Sequence, residues 1–178
     1  MKFKDYYNRK KPIIYLDMDG VLCDFKSPIT KALGKESYED VTENDVDDFF
    51  EKNDPVEFFA NLPKFPYTDY LVQFAITRNG FYNICSRPLK HKVEETIKGK
   101  NIWIDKHLIS KPEQRIFTFN KEDYATSEYA MGSQKPDILI DDWDMNIDAW
   151  NKAGGIGIEW EAGRDSIESL IKKLNKYI

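Results

Sequence analysis

Four apolar residues, Ile13-Ile14-Tyr15-Leu16, run without interruption into Asp17-Met18-Asp19-Gly20, and that abrupt change limits what the chain can fold into. A short, unbroken apolar run rich in β-branched residues reads as a strand covered on both faces, the situation of a central strand in a parallel sheet. Asp17 and Asp19 then stand at its carboxyl end, where open α/β sheets bind their ligands. Gly20 lets the backbone turn away and leaves room for a ligand. Taken alone, Asp and Gly here are also compatible with an ordinary exit from a strand into a turn. The rest of the chain has to decide.

Roughly residues 24 to 66 lack strand character and read as short helical pieces between breakers. Ser27-Pro28 resembles an N-cap with proline in the first turn, Thr42-Glu43-Asn44-Asp45 a capped helix start, and Asp54-Pro55 another. The acidic run from Glu39 to Asp48 is a solvated helix face. From Thr68, read as the cap of a helix carrying Leu71, Phe74 and Ala75, helix and strand alternate regularly. The strands expected are 81–85, 115–119, 137–140 and 155–158. Between the first two lie two helical pieces, one with Val93 and Ile97 and one with Trp103, Ile104 and Leu108. A helix is expected over Asp123 to Met131. Ile167, Leu170, Ile171 and Leu174 form the apolar stripe of a final amphipathic helix. Alternation of this kind means parallel strands joined by right-handed helical crossovers. The expected fold is therefore an α/β, Rossmann-like parallel sheet of about five strands flanked by helices. Residues 1-23 and 67-178 form its core, and 24-66 form a small helical cap inserted after the first strand.

At 178 residues the chain suffices for one well-buried core with a small insertion. No segment approaches the roughly eighteen continuous apolar residues of a membrane helix, and the polar, basic N-terminus shows no export signal. The cytoplasm is the expected compartment, and Cys23 and Cys85 read as small buried residues rather than a disulfide. A net charge of -5 argues against a general nucleic-acid binder, which needs a basic stripe. It leaves room for a small phosphorylated substrate, because one bound divalent cation reverses the local sign of a carboxylate-lined pocket.

Parallel strands bring their carboxyl ends to one edge, and four of the five expected here end on residues suited to phosphate chemistry. Asp17 and Asp19 leave the first, Ser86 the second, Asn120-Lys121 the third and Asp141-Asp142 the fourth. Carboxylates from two strands suit Mg²⁺, a hard cation that takes oxygen ligands. The Ser86 hydroxyl and Lys121 suit phosphate oxygens. An aspartate can act as a nucleophile, and a second carboxylate two residues on can protonate the leaving oxygen and then activate water. Lys135 competes with Lys121, but it precedes its strand by two residues and so belongs to the opposite sheet edge.

Asp17-Met18-Asp19-Gly20-Val21-Leu22 with Asp24-Phe25, Phe58-Phe59-x-x-Leu62 with Pro66, Ile84-Cys85-Ser86-x-Pro88, Trp103 with His107-Leu108, and Leu139-Ile140-Asp141-Asp142 occur in that order. In this the chain resembles the haloacid dehalogenase (HAD) superfamily of phosphohydrolases and, within it, the 5'(3')-deoxyribonucleotidases. The resemblance implies a Mg²⁺-dependent phosphatase with Asp17 as nucleophile and Asp19 as general acid/base. It implies phosphate binding by Ser86, Lys121 and the backbone at Met18, beside which Arg87 is a further candidate for the phosphate. It implies metal binding by Asp17, the Asp19 carbonyl and Asp141, with Asp142 in support. Phe25, directly after the catalytic turn, is a candidate for stacking on a nucleobase; Phe49, Phe50, Phe58 and Phe59 read first as the cap's own core. Arg87 and Trp143 depart from the family pattern, which more often has a small hydroxyl residue and a basic residue there. His91 and His107 read as structural or exposed. Another phosphomonoester (a sugar phosphate or a nucleic-acid 3'-phosphate) and a non-catalytic binding protein remain the alternatives. The expected partner is a small phosphorylated substrate, most simply a nucleoside monophosphate, with no nucleic acid and no membrane; a homodimer stays open.

Overall fold

The computed structural model of the chain describes residues 12–126 and 136–178. Five parallel strands, β1 (Ile14–Leu16), β2 (Asn83–Ser86), β3 (Gln114–Phe117), β4 (Ile138–Asp141) and β5 (Ile156–Glu159), form one sheet in the order β3-β2-β1-β4-β5. The chain builds outward from β1 in one direction as far as β3, then returns to the other side of β1 with β4. The order therefore reverses between β1 and β4, and such a switch point opens a crevice at the carboxyl ends of the strands.

The same reversal distributes the helices. Right-handed crossovers put α4 (Thr68–Asn79) and α5 (Val93–His107) on one face and α6 (Asp144–Lys152) on the other, while α7 (Ile167–Leu174) returns to the first. β1 is buried on both sides because its period-two alternation feeds two cores. Ile14 and Leu16 pack with Leu71, Trp103, Ile104 and Leu170. Ile13 and Tyr15 pack with Leu139, Ile147 and Trp150, the Tyr15 and Trp150 rings meeting edge to face at 5.3 Å.

Between β1 and α4 lie α1 (Lys26–Ala32), a 3-10 turn at Tyr38–Asp40, α2 (Glu43–Lys52) and α3 (Pro55–Ala60). The two ends of this insertion meet: the amides of Asp24 and Phe65 donate to the carbonyls of Pro63 and Leu22. α2 starts on a full capping box between Thr42 and Asp45. Asp54 caps α3, with Pro55 in its first turn. Phe25, Phe49, Phe50, Phe58 and Phe59 pack ring against ring, and Phe50 and Phe59 join the same hydrophobic cluster as the sheet.

Four local expectations are corrected. The two helical pieces after β2 are one continuous helix, α5, because Gly99 serves a packing contact instead of ending the helix: a Cβ there would lie 2.8 Å from both the Phe59 Cβ and the Val56 carbonyl of α3. Thr68 does not cap α4; its hydroxyl donates to the Leu22 carbonyl at 2.6 Å, a tertiary bond that outcompetes the local one. At α1 the cap comes from Asp24, whose carboxylate accepts from the Ser27 amide, rather than from Ser27. Over its described part, the helix expected for Asp123 to Met131 is replaced by a 3-10 turn, Lys121–Tyr124; residues 127–131 lie outside the described residues.

Candidate active site

The crevice between β1 and β4 gathers the acidic residues. The Asp17 amide donates to the Ile140 carbonyl, so the strand pairing continues one residue past β1 and fixes the first carboxylate against β4. Beyond it the chain wraps tightly: the Met18 carbonyl accepts from the amides of Val21, Leu22 and Cys23, and Gly20 takes φ +78°. That left-handed turn is needed for space as well, since a Cβ on Gly20 would lie 2.4 Å from the Asp142 carboxyl carbon. Met18 itself is buried in the core, its carbonyl spent on the loop.

Asp17, Asp141 and Asp142 each offer a carboxylate oxygen within 4.8 Å of one another. Such a cluster of hard oxygen donors from two adjacent strands fits a divalent cation. One further observation favours that fit. Lys121 Nζ lies 3.0 Å from Asp17 Oδ1 but off hydrogen-bonding direction, so this buried oxygen has no hydrogen-bond donor among the described residues. Burial, then the charge of Asp17, push the Asp141 carboxyl upward, while Lys121 Nζ at 2.6 Å and the Trp143 amide oppose the shift; the Asn146 side chain also donates to it at 3.0 Å. Burial likewise pushes Asp142 up to about 7, against the pull of Lys26 at 2.9 Å. Lys121 is 1% exposed; burial works against its charge, but Asp17 and Asp141 outweigh it and hold it above the ordinary lysine range. Asp142 thus belongs to the acidic cluster itself, whereas the Asp19 side chain does not.

Asp19 points to the other side, toward β2. Its Oδ2 accepts from Lys100 Nζ at 2.7 Å, and the Cys23 thiol lies 3.6 Å from its Oδ1. The same ammonium donates to Ser86 Oγ and to the Arg87 carbonyl, each at 2.8 Å. Lys100 is a site residue that the sequence reading missed. In Lys98-Gly99-Lys100 it looks like a solvated helix face, yet it is fully buried while Lys98 is exposed. The only signal in the sequence is Gly99 beside it, the mark of a close approach by another element. Lys26 was missed too: it pairs with Asp142 and with Glu161 at 2.8 Å, tying the first turn of the insertion to the sheet edge.

The two departures from the family pattern meet each other. The Arg87 guanidinium lies 4.8 Å above the Trp143 ring and donates to the Phe119 carbonyl, joining the loops after β2, β3 and β4. Arg87 Nε is buried without a hydrogen-bond partner among the described residues. Phe25 stacks on Phe59 at 5.8 Å and meets Phe58 and Tyr38 edge-on, so any base stacking would use the face opposite Phe59. His91 is exposed, and His107 packs against Trp103 with ring centroids 5.0 Å apart. Both cysteines are free and buried, and burial raises both thiols, Cys85 to about 12. Lys135 lies outside the described residues. Among the described residues no helix is long and apolar enough to cross a membrane.

No protein-family model and no curated protein matches the sequence. Solved structures do match over nearly the whole chain. The fold is similar to that of a hydrolase from Streptococcus pneumoniae, with a TM-score of 0.59 at 15% identity over 94% of this chain and 100% of that one. A HAD family enzyme from Bacteroides thetaiotaomicron, solved as a magnesium complex, gives 0.57 at 16% identity over 91% and 99%. A haloacid dehalogenase-like hydrolase, also from Streptococcus pneumoniae, gives 0.54 at 13% over 92% and 90%. At such identities the likeness speaks for the fold: the chain has the Rossmann-like fold of the haloacid dehalogenase-type hydrolases.

Proposed function

We propose that the protein is a Mg²⁺-dependent phosphatase of small phosphomonoesters that works through an aspartyl-phosphate on Asp17, with deoxyribonucleoside monophosphates as the substrates the sequence resemblance favours. The observation that carries this reading is the division of the two catalytic carboxylates between two buried lysines, Lys121 on Asp17 and Lys100 on Asp19, at one sheet edge. The fold, shared with hydrolases, agrees with it.

Bound by Asp17, Asp141 and Asp142, Mg²⁺ would neutralise charge on the phosphoryl oxygens. The protein's own groups do the rest. An Asp17 oxygen attacks phosphorus while the bond to the leaving oxygen breaks, and Asp19 delivers its proton to that oxygen. Asp19 then takes a proton from water, which attacks the same phosphorus, releases inorganic phosphate and returns Asp17 as a carboxylate. Lys121 offsets charge on the transferring group, and Ser86, at the end of β2, donates to an equatorial oxygen. The helices and aromatic cluster of residues 24 to 66 exclude water and meet the leaving group.

A phosphate-release panel over 5'- and 3'-deoxyribonucleotides, ribonucleotides and sugar phosphates tests the proposal. Release is expected with Mg²⁺ and is lost with a chelator, and Asp17→Asn lowers it by at least about 10⁴-fold with the fold unchanged by circular dichroism. Activity retained in Asp17→Asn refutes the nucleophile, and no release from any substrate refutes the phosphatase.

A further inference from the structure

Lys100 differs from the other lysines of α5 in being wholly withdrawn from water. Its side chain has no exposure to solvent, and it projects from α5 toward the carboxyl ends of β1 and β2. An ammonium withdrawn from water destabilises a fold unless all its protons are matched. Here all three are: Asp19 Oδ2, Ser86 Oγ and the Arg87 carbonyl accept one each. The Phe59 ring of α3 also lies against the ammonium, 5.3 Å from Nζ, a contact made possible by the absence of a side chain on Gly99.

We propose that Lys100 is a positioning residue for the phosphatase chemistry, fixing the Asp19 carboxylate and the Ser86 hydroxyl relative to one another, and that α3 holds its ammonium in place. The proposal rests on the phosphatase reading above. Two of its three acceptors are site groups, and the Asp19 side chain is 29% exposed, so the carboxylate it orients is open to an incoming substrate. Because Lys100 donates to Ser86 Oγ, the serine's own hydrogen is left to bond a phosphoryl oxygen. Because it engages Asp19 Oδ2, that carboxylate stays out of the cluster formed by Asp17, Asp141 and Asp142. Two aspartates only two residues apart in sequence are thereby held for separate tasks.

The experiment uses the full chain with Mg²⁺ and compares wild type, Lys100→Met, Asp19→Asn and the double variant, on an alkyl phosphomonoester and on p-nitrophenyl phosphate. Lys100→Met is expected to lower kcat on the alkyl ester by about 100-fold, the scale of a misplaced catalytic group, with KM within about threefold of wild type. The loss on p-nitrophenyl phosphate, whose leaving group needs no proton, is expected to be smaller. The loss in the double variant is expected to fall well short of the product of the two single losses, since Lys100 acts largely through Asp19. If Lys100→Met does not fold, Lys100→Gln is held to the same criteria. A Lys100 variant with kcat within threefold of wild type, or losses that multiply in the double variant, overturns the proposal while the phosphatase reading stands. A wild type inactive on every phosphomonoester overturns both.

Discussion

Gly99→Ala sets two known effects of opposite sign against each other. Within a helix interior, alanine in place of glycine is worth about 1 kcal/mol in favour of the folded state. At position 99 the added Cβ would lie 2.8 Å from the Phe59 Cβ, 2.8 Å from the Val56 carbonyl oxygen and 3.1 Å from that of Pro55. Ordinary contact begins at 3.4 Å, so α3 must withdraw by about 0.6 Å. None of these three atoms is the flexible end of a side chain, and overpacking against rigid groups costs about 1 to 3 kcal/mol. The packing term wins, and the expected outcome is a net loss of about 1 kcal/mol, or a fall in Tm of about 2 to 4 °C for a chain of this size. Urea unfolding followed by circular dichroism reads it as a lower midpoint at unchanged m. The phosphatase activity should fall as well, because α3 carries the Phe59 ring that covers Lys100. A variant stabilised by about 1 kcal/mol, following helix propensity alone, would show that α3 does not rest on α5 at Gly99.

Gly20→Ala should be worse, because it combines a left-handed φ of +78° with a Cβ 2.4 Å from the Asp142 carboxyl that Lys26 holds in place. A loss of about 2 kcal/mol or more, together with loss of phosphate release, is expected, and a fully active, equally stable variant would contradict the turn geometry. Asp137 accepts the Ile13 amide at the opposite sheet edge, and burial pushes its carboxyl up to about 7 from an ordinary 3.8. In this pH range the folded protein holds a proton that the unfolded chain has released. Its contribution to stability is therefore full below about pH 4 and lost as pH rises through about 7. Asp137→Asn keeps an acceptor for Ile13 without the titration, so its urea midpoint should fall less between pH 5 and pH 8 than that of wild type. Identical pH slopes would count against a buried, protonated Asp137.

How much was legible in the sequence follows the range of the forces involved. The apolar run Ile13 to Leu16, the turn at Gly20, the capping box at Thr42, Asp54-Pro55 and the stripe Ile167, Leu170, Ile171 and Leu174 depend on local geometry and periodicity, and each forms where the residues place it. Once the strands are parallel, topology brings Asp17, Ser86 and Asp141 to one edge with no further information. Thr68 was misjudged, and α5 was read as two pieces, because Thr68 and Gly99 each spend a local preference on a distant partner: the Leu22 carbonyl and the backbone of α3.

The sequence by itself determined that this chain would build a parallel sheet and end its central strand in two carboxylates, since strand period and turn chemistry are written residue by residue. Only the tertiary structure decided how those carboxylates differ. Lys121 reaches Asp17 from the 3-10 turn that follows β3, and Lys100 reaches Asp19 from α5. Which of a helix's lysines leaves water depends on what packs against it, and here that is α3, forty residues away along the chain, resting on Gly99.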